Sequence, residues 1–176
     1  MRLFYALLPS EREKQQLQTQ QRKISAAAVS GRAAATENLH MTLQFLGEVP
    51  PEQLGLFKKI LIQAAQNVRP FSVTLRDYGR FNGKGRERLW CLTGSSPEAA
   101  ALSEKLGRIL TQSGFTVKNR DFLPHITLVR RCRMPEGVLP EPPESVTIQV
   151  QRIWLMESRQ IRGSVVYVPV FHAGLV

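Results

Sequence analysis

Short hydrophobic runs alternate with longer amphipathic stretches along the chain, and this pattern predicts strands and helices in turn. Residues 2–8 predict a buried strand that ends at Pro9, and Ser10 suits the N-cap of a helix that reaches Ala28. The same reasoning predicts a loop at 31–37, strands at 38–47, 71–75, 88–93, 124–130, 145–156 and 165–171, and helices at 50–67 and 97–113. The glycine- and arginine-rich stretch 79–86 predicts a hairpin loop, residues 158–163 a turn, and the proline-rich stretch 134–143 an irregular segment. Because the last strands are joined by short turns, we expect antiparallel sheets and the α+β class.

Two of the predicted strands carry the same motif, His-x-Thr-Leu. The first copy contains His40 and Thr42, and the second contains His125 and Thr127. Side chains two residues apart in a strand share a face, so each His projects with its Thr, about 7 Å away along the strand. The residues predicted to face the core are Met41, Leu43, Phe45, Ile126 and Leu128.

A second landmark recurs at nearly the same spacing as the histidines. The opening Arg2-Leu3-Phe4 returns as Arg88-Leu89-Trp90, 86 residues further on, and the two histidines are 85 residues apart. Two landmarks at one offset indicate an internal duplication. We therefore predict a single bilobal domain over residues 1–176, with lobes at about 1–86 and 87–176 and with the two polar strand faces meeting at a central cleft.

Charge indicates an anionic partner. The 176 residues include 24 Lys and Arg against 14 Asp and Glu, which gives a formal net charge of +10. This excess favours RNA, DNA or a phosphorylated small molecule. The amino terminus resembles neither a transmembrane helix nor a signal peptide, so we expect a cytoplasmic protein.

Two histidines and two hydroxyls around one small volume suit acid and base catalysis at a phosphodiester. Unperturbed histidine titrates near pH 6.5, so one ring can act as a neutral base while the other acts as a protonated acid. Thr42 and Thr127 can donate hydrogen bonds to phosphate oxygens that gain charge in the transition state. The sequence symmetry does not distinguish the acid from the base. His172 has no Thr partner and is predicted to be structural or exposed.

Neither motif has the neighbours that a metal site requires. No carboxylate or thiolate adjoins either His-x-Thr, and the two cysteines, Cys91 and Cys132, form neither a zinc set nor a disulfide framework. We therefore expect no metal and no cofactor. A single chain that carries both motifs needs no second subunit to complete a site, so we expect a monomer.

The two motifs, the run Asn-Leu-His-Met-Thr-Leu-Gln-Phe-Leu-Gly-Glu and the run Pro-His-Ile-Thr-Leu-Val-Arg resemble the two-histidine (2H) phosphoesterase superfamily. More closely, they resemble its RNA 2′,3′-cyclic phosphodiesterases, also called 2′-5′ RNA ligases. The resemblance implies two lobes around a cleft and metal-free hydrolysis of a terminal 2′,3′-cyclic phosphate to a 2′-phosphate, with reversible 2′-5′ ligation in some members. By position, it implies His40 as general acid, His125 as general base, Thr42 and Thr127 as phosphate ligands, and Arg130 as a further ligand of the RNA end.

Arg130 conflicts with simple alternation. A regular strand places it with Ile126 and Leu128, on the face opposite His125, unless the strand ends or bulges there.

Other activities also fit the sequence. The substrate could be a small cyclic nucleotide, an ADP-ribose derivative or a 2′-5′ oligoadenylate. Alternatively, the chain could be a non-catalytic RNA-binding module that uses the arginine-rich loop and Phe81 to stack bases.

Overall fold

The computed structural model describes residues 1–117 and 121–176. Its helices are α1 (Glu11–Ala27), α2 (Leu54–Ala65) and α3 (Pro97–Gln112). Its strands are β1 (Arg2–Leu7), β2 (Ser30–Ala33), β3 (Met41–Glu48), β4 (Phe71–Asn82), β5 (Arg88–Ser95), β6 (His125–Arg133), β7 (Val146–Val150), β8 (Arg152–Ile161) and β9 (Ser164–Gly174). Two 3₁₀ turns, Thr36–Asn38 and Pro51–Gln53, precede β3 and α2. Among the residues that the structure describes, no helix is long and apolar enough to cross a bilayer.

The strands form two antiparallel sheets, which confirms the α+β class. The first sheet has the order β3-β1-β8-β9, and the second has the order β2-β6-β5-β4-β7. Helices α2 and α3 lie on the first sheet, and α1 lies on the second, against β6 and β7. The motif strands β3 and β6 belong to different sheets and lie in contact with each other.

Each sheet takes strands from both sides of residue 86. In the first sheet β1 pairs with β8, and in the second β5 pairs with β4, so each half of the sequence supplies a strand beside the opening strand of the other half. The lobes at about 1–86 and 87–176 therefore remain a prediction about the repeat in the sequence, because the sheets are interleaved between the two halves.

Four predicted boundaries are wrong. The turn predicted at 158–163 is shorter, because β8 continues to Ile161 and β9 begins at Ser164. The strand predicted at 145–156 is two strands, because the chain passes from the second sheet to the first at Gln151. The loop predicted at 31–37 begins with β2, an edge strand whose backbone pairs with β6 although all four of its residues are exposed. The loop predicted at 79–86 is shorter, because β4 continues to Asn82. Gly79 lies inside this strand, where a Cβ would meet Cys91 Sγ at 2.8 Å.

Phe45 does not face the core as predicted. Its side chain is 72% exposed. The pairing of β3 with β1 slips by one residue at Leu43 and again at Leu46, and the slip at Leu43 reverses the alternation that the sequence predicts. Phe45 consequently lies opposite Phe4, with the two ring centroids 6.2 Å apart, on the same face as His40.

A glycine in β5 permits close packing beside the second motif. Gly94 donates its backbone N–H to Pro124 O, immediately before His125, and a Cβ there would collide with the backbone carbonyl oxygen of Thr74. We expect Gly94→Ala to lower the free energy of unfolding by about 2 kcal/mol or more, since overpacking against backbone cannot relax by a rotamer change. Urea denaturation measures the free energy of unfolding of each variant. Gly55→Ala in α2 is the matched control, because a Cβ there meets nothing within 4 Å, and it should be neutral or stabilising. Equal stabilities for the two variants would contradict the steric argument.

Candidate active site

A backbone carbonyl fixes the ring of His40. The 3₁₀ turn Thr36–Asn38 brings the chain into β3, and His40 Nδ1 donates to Asn38 O at 2.7 Å. With the proton on Nδ1, Nε2 of the neutral ring is the acceptor. Nε2 lies 3.0 Å from Thr42 Oγ1, so the two functional groups of the first motif lie together, as the spacing predicts.

Aromatic rings surround the His40 imidazole. The centroids of Phe4 and Tyr167 lie 5.0 and 4.7 Å from it. Burial lowers the pKa of His40 to about 4, together with the charges of Arg130 and His125 and against the opposing effect of the hydrogen bond to Asn38 O. His40 is therefore neutral near pH 7 when the cleft contains no anion.

The side chain of Asn38 attaches β9 to the first motif. Its Nδ2 donates to Val165 O at 2.8 Å, and its Oδ1 accepts from Tyr167 N at 3.0 Å. The residue whose carbonyl fixes the His40 ring thus also holds the strand that carries Tyr167 against that ring.

The second motif repeats the local geometry of the first. His125 Nδ1 donates to Leu123 O at 2.8 Å, again the carbonyl two residues earlier. The ring of Phe81, from the end of β4, lies 5.4 Å from the His125 ring. Thr127 follows on the same face of β6 and is half-buried, opposite Cys91 of β5. Both histidines therefore have Nδ1 bound to a backbone carbonyl, and Nε2 is the nitrogen left for proton transfer.

The two motifs lie on strands of different sheets that contact each other. Strands β3 and β6 are in contact, and the charges of His125 and Arg130 both act on His40. His125 and Arg130 thus lie near His40, while Thr42 and Thr127 each lie beside the histidine of their own motif.

A bulge in β6 accounts for the position of Arg130. The partners of Trp90 and Cys91 on β6 are Val129 and Thr127, so Leu128 is an extra residue in that strand. Leu128 and Val129 are consequently both buried, and Arg130 emerges exposed on the face of Thr127. The expectation from strict alternation is wrong for this reason.

His172 lies outside the two motifs in the sequence. His172 is exposed, as predicted, and lies 4.7 Å from the ring of Trp154. Within residues 1–117 and 121–176, no three His, Cys, Asp or Glu side chains form a group that could hold a metal ion.

Sequence reasoning missed Asn38, Tyr167 and Phe81 as neighbours of the histidines. Asn38 had one local signal, since it stands two residues before His40. Tyr167 and Phe81 had none, because their positions depend on which strands pair.

Comparisons with known proteins agree with this site. Residues 9–162 match the family model of the 2′-5′ RNA ligase superfamily. The RNA 2′,3′-cyclic phosphodiesterase of Escherichia coli (strain K12) is 34% identical over 174 residues, which cover 96% of this chain and 93% of that protein. A protein of the same name from Thermotoga maritima is 30% identical over 137 residues, or 77% and 73% of the two chains. The crystal structure of E. coli LigT complexed with 3′-AMP superposes with a TM-score of 0.81 at 30% identity, covering 99% of this chain and 97% of that one.

Proposed function

This chain belongs to the 2′-5′ RNA ligase superfamily, and we propose that it is a phosphodiesterase that hydrolyses a 2′,3′-cyclic phosphate at the end of an RNA to a 2′-phosphate. The observation that carries the proposal is the paired geometry of His40 and His125. Each ring donates Nδ1–H to the carbonyl two residues earlier, so Nε2 is the ring atom that can exchange a proton, and in His40 it lies against Thr42 Oγ1. The names of the relatives support the choice of substrate.

The two rings divide the proton transfers of the reaction. His125 Nε2 takes a proton from water as the water oxygen attacks phosphorus. The bond from phosphorus to O3′ breaks, and the Nε2–H of a protonated His40 gives its proton to O3′. Each transfer is worth about 10² to 10⁴ in rate. The assignment of acid and base comes from the family resemblance, and the hydroxyls of Thr42 and Thr127 donate to the non-bridging oxygens.

His40 can act as the acid only if substrate binding raises its pKa enough to protonate the ring. Burial and the charges of Arg130 and His125 lower its pKa to about 4, so the free ring is neutral. A bound phosphate anion screens those charges and favours the imidazolium form. Substrate binding and protonation of His40 are then coupled, and only the occupied site contains the acid.

Ligation uses the same geometry with a different nucleophile. If an RNA 5′-hydroxyl takes the place of water, His125 removes its proton and O3′ still departs, which leaves a 2′-5′ linkage. We propose this as a reversible second activity.

The remaining features of the proposal rest on the sequence. We expect a monomer that acts in the cytoplasm without a metal, because one chain carries both motifs and neither motif adjoins a carboxylate or thiolate.

The decisive experiment compares substrates with and without a chelator. We expect the wild-type protein to hydrolyse the terminal 2′,3′-cyclic phosphate of a short RNA at the same rate with and without EDTA. Chromatography should show a 2′-phosphate product. Faster turnover of a cyclic mononucleotide or of a 2′-5′ oligoadenylate would replace the RNA substrate within the same chemistry. RNA binding with no turnover of any of these would instead support a non-catalytic RNA-binding module.

A further inference from the structure

The edge strand β2 places a second arginine beside Arg130. In the pairing of β2 with β6, Arg32 lies directly opposite Arg130, and Ala33 lies opposite Val129. Directly opposed residues of an antiparallel pair share a face, with Cβ atoms about 5 Å apart. Arg32 is exposed, so its guanidinium is accessible on the same face as Arg130.

Gly31 fixes this register. A Cβ at Gly31 would stand 2.9 Å from Val129 Cγ1 and 3.4 Å from Cys132 Cα, so a larger residue would push β2 away from β6. Val129 and Cys132 are both buried. Gly31 therefore faces the core side of the sheet, and its neighbour Arg32 faces the opposite side, where Arg130 acts on His40.

Two opposed arginine side chains repel each other unless a bound anion contacts both guanidinium groups. Like charges directly opposite one another destabilise a sheet. In the part of the chain that the structure describes, no carboxylate lies within 4 Å of either guanidinium. The pair is thus an unneutralised positive site at the edge of the second sheet, beside the strand of the second motif, and β2 has no hydrophobic side chain larger than alanine.

We propose that Arg32 binds the phosphate that precedes the terminal nucleotide of the RNA, while Arg130 contacts the terminal cyclic phosphate. Arginine suits this role because its planar fork can donate two hydrogen bonds to one phosphate. The proposal rests on the proposed function and deepens it. Arg32 distinguishes an RNA end, which has such a phosphate, from a cyclic mononucleotide, which has none.

The test is Arg32→Gln, measured on a cyclic mononucleotide and on a short RNA with the same cyclic end. We expect KM for the RNA to rise about tenfold and the kinetic constants for the mononucleotide to stay within about twofold. The slope of log(kcat/KM) against log[salt] for the RNA should become shallower by about 0.7, the value for one phosphate contact on a single strand. Arg32→Lys should recover part of the loss.

Arg22→Gln is the matched control, because Arg22 is an exposed arginine of α1, the helix that covers the other face of the second sheet. It removes one positive charge and should leave both substrates unaffected. If Arg22→Gln raised KM for the RNA as much as Arg32→Gln does, the effect would be one of net charge alone. That result would overturn the proposal. So would an equal loss on both substrates for Arg32→Gln, which would place Arg32 at the terminal phosphate.

Direct binding separates this proposal from the proposed function. Fluorescence anisotropy of a labelled RNA that ends in a 2′-phosphate needs no turnover. Weaker binding by Arg32→Gln and unchanged binding by Arg22→Gln are expected. If wild-type protein hydrolyses the mononucleotide but Arg32→Gln binds RNA normally, the arginine proposal fails and the proposed function stands. If wild type hydrolyses neither substrate, the proposed function fails and the anisotropy result alone decides the role of Arg32.

Discussion

Replacing His40 or His125 with Ala is expected to lower kcat for a cyclic RNA end by about 10² to 10⁴, because each substitution removes one of two proton transfers. His172→Ala is the matched control, since it removes an exposed histidine that lies outside the two motifs, and it should change kcat by less than about twofold. Single-turnover kinetics at saturating substrate measure the chemical step. A comparable loss in the His172 variant, or none in the motif variants, would contradict the two-histidine mechanism.

A modified leaving group assigns the two roles. In a cyclic phosphorothiolate whose departing 3′ atom is sulfur, the leaving thiolate needs no proton, because thiols are far more acidic than alcohols. We expect His40→Ala to regain most of its activity on this substrate and His125→Ala to remain slow. Rescue of His125→Ala instead would reverse the assignment of acid and base.

The second large effect is a rise in the pKa of His40 when an anion occupies the cleft. The free ring is expected to titrate with a pKa of about 4, because it is buried and lies near the charges of Arg130 and His125. A bound 2′-AMP should raise this pKa by about two units or more, as its phosphate offsets those charges. Because binding then takes up a proton, affinity for 2′-AMP should increase as the pH falls from neutrality toward the free pKa.

Titration of the His40 ring protons by NMR, with and without 2′-AMP, measures the shift. Arg130→Gln supplies an internal check, since loss of that positive charge should raise the pKa of His40 in the free protein. An unchanged pKa on binding would remove the coupling between substrate and acid and would leave His40 without a proton to donate at neutral pH.

The sequence predicted which motif side chains lie side by side, but not the strand pairing around them. His40, Thr42, His125 and Thr127 were predictable because each pair shares a strand face, which depends only on local alternation. Phe45 and Arg130 were misplaced because each follows an extra residue, at Leu43 and Leu128, that reverses the alternation. A β-bulge is defined by pairing with the neighbouring strand, so the sequence of one strand alone does not reveal it.

The elements missed from the sequence depend on long-range pairing. Strand β2 has no hydrophobic alternation, and only its backbone bonds to β6 define it. The break at Gln151 had one local signal, because the buried positions change from even-numbered residues in β7 to Ile153 and Leu155 in β8, but only the division between two sheets makes it a break.

The interleaving of the sheets has a consequence for synthesis of the protein. Arg2 of β1 is translated 156 residues before Ser158 of β8, the residue with which it pairs (158 − 2). At about 5–20 residues per second, β1 waits on the order of 10 s for β8 to be made. During that interval one edge of β1 lacks its neighbour, and an open edge can pair with another nascent chain. A ribosome that stalls before β8 would therefore release an aggregation-prone fragment with no RNA-end hydrolase activity, even though that fragment contains both histidines.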